Sequence, residues 1–360
     1  MKRYALIGSG MMGQEHLKNL ALLSGVEVTH VYEPDVMMQA RTRALVPEVT
    51  FCQDIGALLA AAPDAIVIAS PNYCHAEQLA EIAASGRVPV LVEKPVCVNH
   101  AQLQQVASIA ANQPWWVAME YRYMPPIAKL IEIVRSGAVG RVHMVTIREH
   151  RYPFLEKVGH WNRFNRNTGG TLVEKCCHFF DLMRLIVGAN PVRVMATGGQ
   201  AVNHLDERYP EGVPDILDHA YVLVDFEAGQ KACLELSMFT EGSEYQELIS
   251  VVGEQGKVEA LVPGPTRFWQ GAAPAPEPKV VLSPRNGQRP EVFETPVDST
   301  LLAAGDHNGS TYFQHARFLD SLENGQIEVT VDDGCWAVRM GLAAHESIAQ
   351  ARVIPMGSPV

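Results

Sequence analysis

Basic charge is scarce in this chain. Lysine and arginine total 29 against 40 aspartates and glutamates, for a net charge of −11. No basic stripe is available to neutralise phosphates, which excludes a nucleic-acid partner. There is no run of about 18 apolar residues, so no membrane-spanning helix is expected. No CxxC pair occurs among the seven cysteines, Cys52, Cys74, Cys97, Cys176, Cys177, Cys233 and Cys335. Their odd number and scattered spacing exclude a disulfide framework and point to a reducing, cytoplasmic setting. Asn308-Gly309-Ser310 matches a glycosylation acceptor, which reads as chance in such a setting. A secretory leader is not indicated either. Lys2 and Arg3 precede only a short apolar stretch before Gly8 interrupts it, and that stretch reads as a first strand. Internal repeats and low-complexity segments of consequence are also missing.

What is present is enough apolar sequence for two cores: 360 residues, 47% of them hydrophobic. The first third alternates short apolar runs with helical stretches. Strands are expected at Tyr4–Ile7, Val26–Tyr32, Ala65–Ala69, Val88–Val92 and Trp116–Met119. Helices are expected at Gly13–Leu23, Val36–Ala44, Ala76–Ser85 and Ala101–Ala111. Such alternation predicts a parallel sheet with helices on both faces. After about residue 121 the texture changes. A helix at Ile127–Arg135, a strand at Arg141–Arg148 and one continuous helix at Leu172–Ile186 are expected. Several strand-like runs between Val192 and Val262 then read as an antiparallel meander. Pro263–Pro290 reads as loops, and two helices, Thr311–Glu323 and Asp333–Ala351, end the pattern.

Gly8-Ser9-Gly10-Met11-Met12-Gly13 is a GxGxxG placed between a buried strand and a helix. Gly8 suits the tight turn, Gly10 lets a pyrophosphate approach the backbone, and Gly13 allows close helix–strand packing. The helix N-terminus offers free N–H groups and a positive dipole to phosphates. Glu33 stands at the end of the next strand, where a carboxylate binds both ribose hydroxyls and repels a 2′-phosphate. NAD is therefore favoured, with NADP less so, although Arg41 and Arg43 lie nearby.

Three further segments carry a resemblance. They are Ala69-Ser70-Pro71-Asn72-Tyr73-Cys74-His75, Val92-Glu93-Lys94-Pro95, and Thr168-Gly169-Gly170-Thr171-Leu172-Val173-Glu174-Lys175-Cys176-Cys177-His178-Phe179-Phe180-Asp181. With the phosphate loop, and in this order, they resemble the glucose–fructose oxidoreductase / inositol dehydrogenase / rhizopine-catabolism group, Gfo/Idh/MocA. The resemblance covers nearly the whole chain. It implies an α/β protein: a Rossmann domain over 1–121 and an α+β substrate-binding and oligomerisation domain over 122–360. The second domain would carry a large, open, mainly antiparallel sheet, often a dimer or tetramer interface. The final helices would pack back near the Rossmann domain. Cofactor contacts are implied for Gly8, Gly10, Met11, Met12, Gly13, Glu33, Ser70, Pro71, Asn72, His75, Glu93 and Lys94.

Oxidising an alcohol needs a base for the hydroxyl proton and a group that stabilises the developing oxyanion. Glu174, His178 and Asp181 stand at i, i+4 and i+7, on one face of a helix if it is continuous. His178 titrates near neutrality and suits proton transfer. Lys94 can supply positive charge to the substrate oxygen, and the resemblance implies a cis Pro95 that aims it. Catalytic roles are thus expected for Lys94, His178 and Glu174, with Asp181 orienting. Glu174 departs from the family's usual aspartate, and Lys175-Cys176-Cys177 from its small or apolar residues. Substrate contacts are expected from Arg122, Trp161, Asn162, Arg163 and His307 as well, an aromatic among amides and cations suiting a sugar. Arg122 reads equally well as a hinge brace. A metal on Glu174, Cys177 and His178, with His160 or His307, lacks the short paired ligand spacings, and none is expected. The resulting expectation is an NAD(P)-dependent dehydrogenase of a secondary hydroxyl on a sugar, cyclitol or related polyol. A non-catalytic dinucleotide sensor and a reductase of oxo-sugars are the alternatives.

Overall fold

The computed structural model describes residues 1–265 and 276–357. The first part of the chain alternates β1 (Lys2–Ile7), α1 (Met11–Leu20), β2 (Val26–Tyr32), α2 (Val36–Leu45), β3 (Thr50–Cys52) and α3 (Ile55–Ala60). It continues with β4 (Ala65–Ile68), α4 (His75–Ser85), β5 (Val90–Val92), α5 (His100–Ile109) and β6 (Trp115–Val117). These strands form a parallel sheet in the order β3-β2-β1-β4-β5-β6. β4 and β5 are buried along their whole length, as strands covered on both faces must be. The strand order reverses between β1 and β4, which opens a crevice at their carboxyl ends. β3 and α3 were not foreseen, because three strand residues carry too little pattern to register.

The remainder comprises α6 (Pro125–Arg135), β7 (Val142–His150), α7 (Asn165–Thr168), α8 (Thr171–Glu174), α9 (Cys177–Val187), β8 (Pro191–Gly199), β9 (His219–Phe226) and β10 (Lys231–Ser237). Beyond these lie β11 (Glu247–Gly253), β12 (Gly256–Val262), β13 (Lys279–Pro284), β14 (Glu291–Glu294), α10 (Ser299–Ala304), α11 (Ser310–Asn324), α12 (Val331–Gln350) and β15 (Ile354–Pro355). The second sheet has nine strands in the order β14-β13-β12-β11-β7-β10-β9-β8-β15. It is not a simple meander. β7 inserts between β10 and β11 and runs parallel to β10, while the other pairs are antiparallel. Alternating burial along β10 and β12 shows one covered face. α6, α9 and α12 pack on this sheet.

Two expectations are corrected here. The stretch Pro263–Pro290 is not all loop, since β13 lies within it and pairs with β12; residues 266–275 of that stretch lie outside the described part. The helix expected at Leu172–Ile186 is broken in two, with Lys175 and Cys176 between α8 and α9. Lys175, at the break, carries its side chain into a buried charged cluster at Glu149. α12 contacts α5 and β6 as well as the second sheet, and α11 packs on α1, so the final helices touch both halves. Among the described residues, no helix is long and apolar enough to cross a membrane.

Candidate active site

A cleft of about 400 Å³ opens at the switch point between β1 and β4. Of the residues expected to hold a cofactor, Gly8, Gly10, Met11, Met12, Glu33, Ser70, Pro71, Asn72, Glu93 and Lys94 line it. Gly8 is held at φ +85°, and a Cβ there would stand 2.6 Å from the Ser70 Cα. The two loops touch because Gly8 has no side chain. A Cβ on Gly13 would stand 2.5 Å from the Gly8 carbonyl, so Gly13 permits packing and does not line the cleft. A Cβ on Gly10 would meet nothing within 4 Å. That open space lies before the first turn of α1, whose N-cap has no side-chain hydrogen bond. Uncapped N–H groups beside an opening suit a pyrophosphate. Glu33 accepts from the backbone N–H of Ser9 at 2.6 Å and of Asp35 at 2.8 Å, which fixes the carboxylate at the cleft edge. The buried Asn72 Nδ2 has no hydrogen-bond partner among the described residues and can donate to a ligand. These features fit a dinucleotide.

His75 is corrected. It lies buried behind the loop, with Nδ1 2.8 Å from the Pro95 carbonyl and Nε2 3.1 Å from that of Ser70. It ties two cofactor-side loops together and is not among the residues lining the cleft. Glu93 reaches inward to His16 at 3.0 Å, and His16 to His315 at 2.8 Å, which links the loop after β5 to α1 and α11.

A second chamber, also about 400 Å³, adjoins the cleft and shares Met11, Met12, Lys94 and Lys157 with it. Lys94 stands at this junction. Its peptide bond to Pro95 is cis. Its Nζ donates to the Glu174 carbonyl at 3.1 Å, at the point where the helix is interrupted. Burial opposes its charge, but Cys177, Glu93, Glu174 and Glu120 outweigh that and hold the ammonium above the ordinary lysine range. His178 lines the same chamber from α9 and stacks on Tyr121, with ring centroids 4.1 Å apart and planes within 9°. Its Nδ1 is buried and has no partner among the described residues. Burial, reinforced by the positive charges of Lys94 and Lys175, pushes its pKa well below the usual imidazole value. The ring is therefore neutral at pH 7 and able to accept a proton. Glu174 also faces the chamber, its Oε1 3.2 Å from Lys157 Nζ.

Several expected contacts are placed elsewhere. Arg122 forms a bidentate pair with Asp181 at 2.7 and 2.5 Å and donates to the Glu328 carbonyl. Both residues are spent on a buried brace, so Asp181 does not orient His178 and Arg122 does not reach the chamber. Asn162 donates to the Leu155 carbonyl, and Arg163 pairs with Glu207 at 2.8 Å. Both are buried loop anchors. Trp161 does line the cleft, with Lys157 Nζ 4.5 Å from its ring centroid.

His307 reaches the chamber and is held by Glu15 at 2.7 Å, with Glu120 at 3.7 Å. Burial opposes its protonation, but Glu120 and Glu15 outweigh burial and raise its pKa to about 9. These three bring their ligand atoms within 4.8 Å of one another. A protonated His307 between two carboxylates satisfies the cluster by internal pairing.

Among the site residues that the sequence did not point to are Lys157, Glu15, Arg151, Lys175 and Tyr121. Lys175 Nζ contacts the Tyr121 hydroxyl at 2.5 Å and Glu149 at 2.8 Å. The unusual lysine in an otherwise apolar helix start was the available signal for Lys175. Tyr121 had none, since its role depends on stacking against a residue 57 positions away.

The chain matches the description "Oxidoreductase family, NAD-binding Rossmann fold" over residues 2–121 and "Oxidoreductase family, C-terminal alpha/beta domain" over residues 131–356. It belongs to this Gfo/Idh/MocA family and is an NAD-dependent oxidoreductase. The rhizopine catabolism protein MocA of Rhizobium meliloti is 28% identical over 192 residues, 52% of this chain and 58% of that protein. The myo-inositol 2-dehydrogenase of Thermotoga maritima is 23% identical over 361 residues, 98% of each chain. A levoglucosan dehydrogenase in complex with NADH shares the fold at a TM-score of 0.80 and 18% identity, covering 99% of this chain and 100% of that one.

Proposed function

We propose that the protein oxidises a secondary hydroxyl of a sugar, cyclitol or related polyol. The observation that carries this reading is the meeting of Lys94 and a neutral His178 in one chamber beside the dinucleotide cleft. Residues 1–121 then form the cofactor half and 122–360 the substrate half. Bound NAD supplies a hydride acceptor. The carbinol carbon loses its hydrogen with the electron pair, the hydroxyl proton passes to a His178 ring nitrogen, and a carbonyl is left. The Lys94 ammonium stabilises the negative charge that develops on that oxygen. Glu174 holds Lys157 through its carboxylate and Lys94 through its carbonyl, so it positions both ammonium groups. The relatives named as inositol dehydrogenases support a polyol substrate.

The test is turnover of a polyol panel with NAD, followed at the absorbance of the reduced nicotinamide. Lys94→Met should lower kcat by at least about a hundredfold while NAD binding is retained. Undiminished turnover in that variant would sink the assignment. A wild-type protein that binds NAD and oxidises nothing in the panel would favour a sensor.

A further inference from the structure

The chamber holding Lys94 and His178 is lined by Lys18, Lys94, Arg151, Lys157 and Lys175 against only three carboxylates, Glu15, Glu174 and Asp306. Most of these charges are committed. Lys157 is paired with Glu174, Lys175 with Glu149, and Glu15 with His307. Arg151 is different. Its Nε donates to the Tyr152 carbonyl at 3.1 Å, and its NH1 forms a long ion pair with the buried Glu149 at 3.5 Å. Glu149 is already engaged by Lys175 at 2.8 Å. The neighbouring Glu247 is only partly ionised near neutrality, because burial and Glu149 push its pKa up to about 7.

Arg151 is also pre-positioned. Its backbone N–H donates to the Ser237 carbonyl at 2.9 Å, and its own carbonyl accepts from Thr240 at 3.1 Å, so the chain after β7 is pinned to β10 and the turn that follows. The guanidinium lies over the Tyr152 ring, 4.4 Å from its centroid. A guanidinium stacked on a ring, its pair with Glu149 long and its terminal N–H groups without a hydrogen bond among the described residues, matches the planar fork of a carboxylate.

We propose that Arg151 anchors a carboxylate of the substrate, and that the alcohol oxidised belongs to a sugar acid or another carboxylated polyol. This rests on the dehydrogenase reading above. The balance is unchanged: the carbinol hydride goes to NAD, the hydroxyl proton to His178, and the carboxylate is a spectator held by Arg151.

Matched pairs test it: glucose against glucuronate, and galactose against galacturonate, with glucose 6-phosphate as a further arm, all assayed on the full chain with NAD. The wild-type kcat/KM for at least one acid should exceed that of its neutral partner by about tenfold or more. Arg151→Gln should bring the ratio to about one, and Arg151→Lys should restore part of it. The wild-type ratio alone decides the matter should Arg151→Gln fail to fold. A ratio of one or below in every pair, with a neutral sugar turned over, overturns this inference and leaves the dehydrogenase reading standing. Preference for the phosphate ester over the carboxylate also overturns it. No turnover of either member of any pair, with NAD bound, also overturns this inference, while the dehydrogenase reading is decided by the polyol panel.

Discussion

At the scale of single residues, electrostatics separates the roles of groups that look alike in a sequence. His178 and His307 line the same chamber, yet one is neutral and the other charged. His178 is buried next to Lys94 and Lys175, while His307 is wedged between two carboxylates. A base must be neutral to act, so the acid limb of kcat/KM should fall below the usual imidazole range of 6.5. Lys175→Met removes one of the repelling charges and should raise the His178 pKa. The acid limb should then move to higher pH, with a thermal melt to check that the variant is folded. A limb that stays put or moves to lower pH would show that Lys175 does not tune the base. Lys94 and His178 were legible because their residue types and motifs state the chemistry. Arg122 was left open between substrate contact and brace, and Asp181 was assigned to His178, because a sequence does not say which opposite charge lies within 3 Å.

At the scale of elements, the phosphate loop combines two kinds of glycine. Gly8 sits at φ +85° against the Ser70 backbone, so a side chain there strains the fold itself. Gly10 has ordinary φ and open space in front of it. Gly10→Ala should therefore cost no more than about 1 kcal/mol of stability. It should still weaken NAD binding at least about tenfold, or 1.4 kcal/mol, by filling the space where a pyrophosphate approaches. Calorimetric titration beside a thermal melt checks the pair; equal losses in both would mean that Gly10 is structural. The break between α8 and α9 belongs to this scale too. Sequence periodicity placed Glu174, His178 and Asp181 on one face. The break parts Glu174 from His178, whereas Asp181 shares the unbroken α9 with His178 and is taken up by its pair with Arg122.

At the scale of the molecule, the nine-stranded sheet has one face covered by helices and, among the described residues, exposed apolar side chains on the other. On that face Met195, Leu223 and Cys233 stand in one cross-strand row, and Met195 and Leu223 are each 46% exposed. Tyr221 and Met144 add further exposed apolar surface. Apolar patches of this kind are usually covered by a partner. The chain is expected to form a homodimer or homotetramer through this face. In analytical ultracentrifugation, Leu223→Arg with Met195→Arg should shift the protein toward monomer, and an unchanged sedimentation coefficient would place the interface elsewhere.

The amino-acid sequence by itself determined the alternation of strands and helices, the phosphate loop, and the lysine and histidine of the site. Each of these is written in local pattern: apolar periodicity, glycine spacing, or a reactive side chain beside a turn. Only the tertiary structure decided that β7 lies between β10 and β11, that Tyr121 stacks on His178, and that Arg151 and Lys175 meet Lys94 at one chamber. Those outcomes depend on which distant segments come within a few ångströms, and on which buried charges then have to neutralise one another. Neither is encoded in any window of neighbouring residues.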